Sequence, residues 1–487
     1  MAVYMAGRKK APENLGHVLI LGLGRSGKAA CAYCTALLGT RAESVTVAAG
    51  RSTDEARLFA RRAEESGAEV VFDSEAIDGS YDLCIASPGI SEFSSFYLSA
   101  KAASAEIVSE VEFAWRESAQ DSVWIAITGT NGKTTTTSLC AHILKGAGMN
   151  AAAVGNIGDT CLGAVAAGST DIYVAEVSSY QLASTRDFAP QVAVLMNITP
   201  DHVAWHRTHE NYVAAKCKIL ANLPAVPGSV AVLDATNGTV RAKVREIKAI
   251  PARGRGFDYI PVGTAEGISG DMRAACGSEN AAFLRADGML AVCRSGEEAE
   301  LVPATDLQIP GAHNQSNALM AAAAALCVGA GLEDVRSGLR SFASLEHRIE
   351  PCGSVRGVAC YNDSKATNVD ATLKALSAFS PRKPIVLLGG DDKLTDLDEL
   401  VASSERHCKA VVCFGASRER FLDSFDGAAL PVIAARHMED ALDAALACAA
   451  EGDIVLLSPA CASFDEFDGF EQRGTVFKRL VAERARA

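Results

Sequence analysis

Lys133 and Thr134 follow Gly132 in the run Thr128-Gly129-Thr130-Asn131-Gly132-Lys133-Thr134-Thr135-Thr136, and they are residue types that handle a nucleoside triphosphate. A glycine turn between a strand and a helix aims backbone N–H groups and a helix N-terminus at phosphates. A lysine ammonium then covers those phosphates and a threonine hydroxyl serves as a Mg2+ ligand. The general phosphate-loop spacing asks for a Gly five residues before Gly132, but position 127 is Ile and the nearest Gly is Gly129. The turn is therefore tighter, with the same chemical logic. Glu176 directly follows the apolar run Ile172 to Ala175, where a carboxylate can meet the metal held by Thr134. His202 follows another apolar run, Val192 to Ile198, after Thr199-Pro200-Asp201. Parallel strands ending on one edge would bring Glu176 and His202 near the phosphates. His202, His206 and His209 also have spacings that suit a zinc site on one helix face, although no Cys accompanies them. Lys216 sits in the amphipathic stretch Tyr212 to Leu220, where periodicity alone predicts an exposed lysine.

The elements that must position these groups are alternating strands and helices. Val123 to Ile127 reads as the strand before the phosphate turn, and Thr136 to Gly148 as the helix after it. Upstream, His17 to Leu21 leads into Gly22-Leu23-Gly24-Arg25-Ser26-Gly27 and a helical stretch, a strand-to-helix G-x-G-x-x-G. Alone it says dinucleotide. The second strand, however, runs into Ala48-Ala49-Gly50 and offers no acid for a ribose; Arg51 leaves an NADP site open, and another nucleotide's diphosphate fits the same physics. Cys31 and Cys34 lie one turn apart, as redox partners or as small buried residues. Tyr81 to Ala86 reads as a further strand, and the turn Ser87-Pro88-Gly89-Ile90 at its end faces the same crevice as the Gly22 loop. Residues 230–300 suggest a small β-rich portion, and Gly311-Ala312-His313-Asn314-Gln315-Ser316-Asn317 opens an alanine-rich helix. Further buried-strand runs at Ile385, Ala410 and Ile454 define a third α/β region. There Lys365, Thr367, Lys393, Ser458 and Ser463 recur at strand ends and together describe a site for an anion with one or two carboxylates. The expected fold class is α/β with three domains: a Rossmann-like domain over 1–111, a central P-loop domain over 112–344 and a Rossmann-like domain over 345–487.

A chain of 487 residues exceeds what one core usually serves. Its net charge of -13 argues against broad nucleic-acid binding, which needs a basic face, but not against one anionic nucleotide at a local positive site. Fifteen Cys without a repeating framework or an apolar leader predict reduced thiols and a cytoplasmic location. No run approaches the ~18 apolar residues of a spanning helix. The first dozen residues read as a short exposed tail.

Together these motifs resemble the Mur ligase family, the ATP-dependent amide ligases that build the peptidoglycan stem peptide, and the resemblance runs from the Gly22 loop to Arg473. The short Gly129 to Thr134 loop is the family's own form. Within it, Tyr361-Asn362-Asp363-Ser364-Lys365-Ala366-Thr367-Asn368 and Leu457-Ser458-Pro459-Ala460-Cys461-Ala462-Ser463-Phe464, continuing to Phe470-Glu471-Gln472-Arg473-Gly474, resemble the members that add D-glutamate. The resemblance implies that the first domain holds UDP-N-acetylmuramoyl-L-alanine, with Arg25, Ser26, Asn156 and His202 as contacts. It implies an ATP site at Thr130 to Thr136 with Asn314, Asn317, Arg348 and Asp363. Two Mg2+ sites are implied at Thr134, Glu176 and His202, with Lys216 as a carbamate, and Lys133, His202 and Lys216 as the catalytic groups. It implies a D-glutamate pocket at Lys365, Thr367, Lys393, Ser463, Phe464 and Phe470, and a monomer with no nucleic-acid partner and no membrane insertion. Two departures stand out: Ala48 and Ala49 replace an acidic residue at the second strand's end, and Ala204 replaces the Asp that usually follows the Asp-His pair. The competing readings are a related ligase such as a folylpolyglutamate synthase-like protein, an NADP-dependent oxidoreductase fused to an ATPase, and a non-catalytic nucleotide-binding regulator.

Overall fold

The computed structural model describes residues 4–486 apart from 75, 264–277, 310, 344 and 393. Strands β1 (Gly16–Leu21), β2 (Ala42–Ala48), β3 (Glu69–Val71), β4 (Leu83–Ala86) and β5 (Ile107–Ser109) form a parallel sheet in the order β3-β2-β1-β4-β5. This is the doubly wound arrangement, in which the order reverses beside β1 and leaves a crevice at the strands' C-terminal ends. The second sheet contains β6 (Val123–Thr128), β7 (Ala151–Gly155), β8 (Ile172–Glu176), β9 (Val192–Leu195), β10 (Val230–Asp234), β11 (Asp258–Val262), β12 (Ala281–Leu284), β13 (Met289–Arg294) and β14 (Glu297–Pro303). Its order is β14-β13-β12-β11-β10-β9-β6-β8-β7, parallel except for the β12-β13-β14 meander, which is the β-rich portion expected near 230–300. The third sheet has the order β15-β16-β20-β17-β18-β19, from β15 (Glu350–Val355), β16 (Val358–Asn362), β17 (Ile385–Gly389), β18 (Ala410–Phe414), β19 (Val432–Ala434) and β20 (Ile454–Ala460), with only β15 antiparallel.

The chain groups into two compact units, 1–306 with 316–340 and 307–315 with 341–487. In the first unit one apolar core runs from Val18, Val45 and Ile85 through Phe113 and Trp115 to Trp124 and Phe188. Aromatic edges knit it together: Trp115 and Trp124 each meet Phe188 edge-on, and Trp124 stacks on Tyr173 at 4.8 Å. Helix Glu110–Glu117 carries the crossing between the first two sheets, as anticipated for Glu106 to Arg116. Its Arg116 is buried and ties Glu106, Glu112 and Asp187 together, while Glu117 accepts from Arg41 and Tyr33. Such buried charges tolerate loss of one partner poorly, because the remaining charge is then uncompensated.

The N-terminal residues are not the exposed tail that their basic character suggests. The Lys9 and Lys10 amides donate to the carbonyls of Ser118 and Arg116, the Lys10 ammonium pairs with Asp187 at 3.1 Å, and Ala11 is buried. Lys10 has an acidic partner and Lys9 Nζ a carbonyl one, Gln120, that a linear reading does not supply.

Candidate active site

Register alone assembles the central site. Ile127 on β6 lies opposite Glu176 on β8, and Glu176 lies opposite Gly155 on β7, so the phosphate loop, Glu176 and Asn156 leave the same sheet edge. β9 flanks β6 on the other side and delivers Met196 to His202 to that edge. Helix Lys133–Gly146 starts one turn earlier than periodicity suggests, because Gly132 as its cap sits at φ +84°. At Gly132 an added Cβ would stand 2.5 Å from Asn317 Oδ1, and at Gly129 one would stand 2.7 Å from Met196 Cβ. Both positions require glycine for close approach. The loop is further fixed by Asn197, whose Oδ1 accepts from the Asn131 amide at 2.9 Å and whose Nδ2 donates to the Asn131 carbonyl.

Two lysines converge on this loop. Lys133 Nζ donates to the carbonyls of Gly129 and Thr130, both at 3.0 Å, and Lys216 Nζ donates to the same Gly129 carbonyl at 2.7 Å. Lys216 is only 2% exposed, contrary to its amphipathic pattern. Burial first, and the Lys133 ammonium second, press its amine well below the ordinary lysine range. It lies 4.7 Å over the Tyr212 ring, and the Tyr212 hydroxyl shares a 2.8 Å hydrogen bond with Thr130. Glu176 Oε1 accepts from Asn156 Nδ2 at 2.9 Å, whereas Oε2 is buried and has no hydrogen-bond partner among the described residues. An orphaned carboxylate oxygen at the edge that also carries Thr134 suits a hard cation. Among the described residues no three His, Cys, Asp or Glu side chains cluster tightly enough to hold a metal by themselves. A cation here would thus take much of its shell from phosphate oxygens.

The three histidines do not make a zinc site. His206 is buried, pairs with Ser179 at 3.0 Å and is pushed down to about 4 by burial, then by His202 and Lys216. His209 packs on Tyr212. His202, at φ +55°, is partly exposed; its amide donates to Asp201 Oδ1, and its ring lies 4.9 Å from that of Tyr180.

The Gly22 loop joins this site through Arg25. The helix Arg25–Thr35 places the Arg25 guanidinium on the Gly158 carbonyl, two residues beyond Asn156, with Ser26 in the same turn. Arg25 and Asn156, which come from different sheets, therefore share one locale, and Glu176 is bonded into it. An added Cβ on Gly27 would overlap the Gly22 carbonyl, so the third glycine serves helix packing. Ser87 reaches Gly22 at 3.4 Å, as expected of a turn facing that crevice. Ala48 and Ala49 are buried, and Cys31 and Cys34 are core thiols, with Cys31 pushed up to about 11 by burial.

The second unit holds its own polar cluster. Asp363, at the end of β16, accepts from the Ser458 hydroxyl at 2.7 Å and the Ile349 amide at 3.2 Å, and burial raises its carboxyl to about 7 against the pull of Arg348 and Arg473. Lys365 Nζ stands 3.5 Å over the Phe470 ring, and the Thr367 amide donates to the Lys365 carbonyl. Ser463 is buried, Phe464 is 71% exposed, and Lys393 lies outside the described residues. Asn314 is grouped with this unit and Asn317 with the first. Sequence reasoning did not single out Arg473 as a site residue. Fully buried, it donates to the Ser364 hydroxyl and carbonyl and to the carbonyls of Cys461 and Ala462, locking the two strand-end loops together. Its signal was the basic residue inside the Phe470 to Gly474 string.

Two family models match the chain: the Mur ligase middle domain over residues 127–325, and the Mur ligase, glutamate ligase domain over 347–461. The chain belongs to the Mur ligase family, and its three sheets are the family's three-domain α/β fold. Relatives from Acidobacterium capsulatum and Shouchella clausii, each 37% identical, bear the name UDP-N-acetylmuramoylalanine--D-glutamate ligase. The first match covers 95% of both chains; the second covers 97% of this chain and 98% of the relative. Among solved structures, MurF from Acinetobacter baumannii is similar with a TM-score of 0.59 at 17% identity, over 95% of this chain and 93% of that one. UDP-N-acetylmuramate-alanine ligase MurC from Thermotoga maritima is similar at 0.56 and 18%, over 96% and 99%. Among the described residues no helix is long and apolar enough to cross a membrane.

Proposed function

We infer that this chain is an ATP-dependent ligase that adds D-glutamate to UDP-N-acetylmuramoyl-L-alanine in peptidoglycan precursor synthesis. The observation that carries the chemistry is the pair of lysines on the Gly129 carbonyl beside the orphaned Glu176 oxygen. Near-complete relatives of that name carry the choice of substrates.

A carboxylate does not acylate an amine at neutral pH, because its oxygen leaves poorly. ATP removes that obstacle. A substrate carboxylate oxygen attacks the γ-phosphorus in line, the bond from phosphorus to the β–γ bridging oxygen breaks, and its electron pair departs on ADP. The D-glutamate amine then adds to the acyl carbon, the C–O bond to phosphate breaks, and the amine's proton passes to solvent. Lys133 exchanges its loop carbonyls for phosphate oxygens and neutralises their crowded charge; the amides of Thr130 to Thr136 and the helix N-terminus orient them. Thr134, Glu176 and His202 would hold Mg2+, which when bound withdraws charge from the phosphates. Burial disfavours the charged form of the Lys216 amine, and an uncharged amine is the form that takes up CO2; as a carbamate it would present an anion toward that cation. Arg25, Ser26 and Asn156 orient the UDP-linked acid, with His202 beside its reacting end. Asn314, Asn317, Arg348 and Asp363 serve ATP, and Lys365, Thr367, Lys393, Ser463, Phe464 and Phe470 the amino acid. We assign residues 1–111, 112–344 and 345–487 to the three substrates' domains, in a cytoplasmic monomer. Positioning supplies most of the rate, since no protein nucleophile is required.

The test is ADP release with UDP-N-acetylmuramoyl-L-alanine while free amino acids are varied one by one. D-glutamate should support turnover; L-alanine, lysine and diaminopimelate should not. Equal rates with L-alanine or no dependence on any amino acid would overturn the assignment.

A further inference from the structure

The segment bearing His202 is fastened on two sides, and one fastener is a residue that phosphate-site reasoning does not select. Helix Val203–His206 begins after His202 at φ +55° and ends at Arg207 with φ +67°, both in the left-handed half of backbone space that non-glycine residues seldom adopt. On the central side, His206 pairs with Ser179 and its carbonyl accepts from Asn211 Nδ2 at 2.9 Å. On the other side, the Ser91 hydroxyl, from the turn after β4, donates to the Trp205 carbonyl at 2.8 Å. Arg207 donates to the Phe93 carbonyl at 2.8 Å and lies over the Phe93 ring at 5.0 Å.

Tyr180 stacks on Trp205 at 4.5 Å and meets the His202 ring, so a shift of this helix shifts the imidazole. Ala204, on the same helix, is exposed and offers His202 no carboxylate. An arginine persists at positive φ only where its contacts over-determine it, and the Phe93 contacts are the ones that do so here. We propose that Arg207 is a positioning residue: by clasping the Ser91–Phe93 loop of the first sheet, it sets the orientation of His202 toward the acid substrate. The sheet that carries the Gly22 loop thereby also aligns the imidazole at the reacting end. This rests on the role given to His202 above.

The experiment compares Arg207→Ala, which deletes the clasp and keeps the strained backbone, with Arg207→Gly, which deletes the clasp and relieves the strain. Amide hydrogen exchange over 203–206 should quicken about tenfold in both, the scale of losing one charge-assisted hydrogen bond. Turnover should fall by about the same factor with KM for ATP and D-glutamate unchanged, while Arg207→Gly melts above Arg207→Ala. Added to His202→Ala, Arg207→Ala should cost nothing further. Unchanged exchange in both variants, a lower melting point for Arg207→Gly than for Arg207→Ala, or additive losses with His202→Ala would overturn the proposal. If the wild type released no ADP with D-glutamate, the proposed activity would fall, and the exchange data would still decide the clasp.

Discussion

The Gly22 and Gly129 loops share one backbone plan, a parallel strand, a glycine turn and a helix N-terminus, yet the side chains gathered around them differ. In the Gly22 loop Gly22 and Gly27 serve close packing, and the nearby cation, Arg25, sits on the Gly158 carbonyl of the next sheet. At Gly129 two lysines share a single carbonyl, beside a buried carboxylate oxygen with no hydrogen-bond partner among the described residues. Backbone amides at a helix N-terminus favour an anion in either loop; in the function proposed above, the side chains around it decide between holding a diphosphate and activating a γ-phosphoryl group.

Exchanging the cations sharpens that contrast most. Lys133→Ala should lower D-glutamate-dependent ADP release about a thousandfold with an unchanged circular dichroism spectrum, because it removes charge stabilisation of the transferring group. Arg25→Ala should instead raise KM for the UDP substrate about tenfold with little change in kcat, the mark of lost ground-state binding. Equal kcat losses in the two variants would erase the distinction between the loops.

Lys216→Met comes next. Turnover should fall about a hundredfold, the upper range for residues supporting a metal's ligands. The melting temperature at pH 7 should nevertheless rise, because the unfolded chain keeps a proton on Lys216 that the fold disfavours, and an apolar side chain avoids that cost. A lower melting point would show that the buried amine is compensated in the free protein.

The glycines differ by position and not by loop. Gly27→Ala and Gly132→Ala should each cost about 1–3 kcal/mol by chemical denaturation, the first from overlap with a carbonyl and the second from positive φ and the Asn317 amide. Gly24→Ala, in open space, should stay within about 0.5 kcal/mol. A pH-dependent effect belongs to the second unit. Asp363 has a folded value of about 7 against an ordinary 3.8, so the folded chain holds its proton across that interval. Its stabilising share is whole below about 3.8 and is lost as pH rises toward 7. The melting temperature of Asp363→Asn minus that of the wild type should therefore be more positive at pH 8 than at pH 5.

Much of this was legible in the residues. Strand-glycine-helix grammar located both loops, and parallel order predicted that Glu176 and the residues before His202 would leave one edge. The burial of Lys216 was not legible from its helix's periodicity, because its desolvation depends on Tyr212 and on a loop 87 residues away in sequence. Arg473 and Arg207 escaped for a related reason: each acts on main-chain carbonyls, and carbonyls have no sequence signature. The basic N-terminus was misread because its partners, Asp187 and the carbonyls of 116 and 118, come from distant turns.

The central claim is that phosphate passes through the substrate's own carboxylate. UDP-N-acetylmuramoyl-L-alanine labelled with 18O in its terminal carboxylate, turned over with ATP and D-glutamate, should release phosphate carrying one 18O atom per product formed. Unlabelled phosphate at full product yield would contradict it.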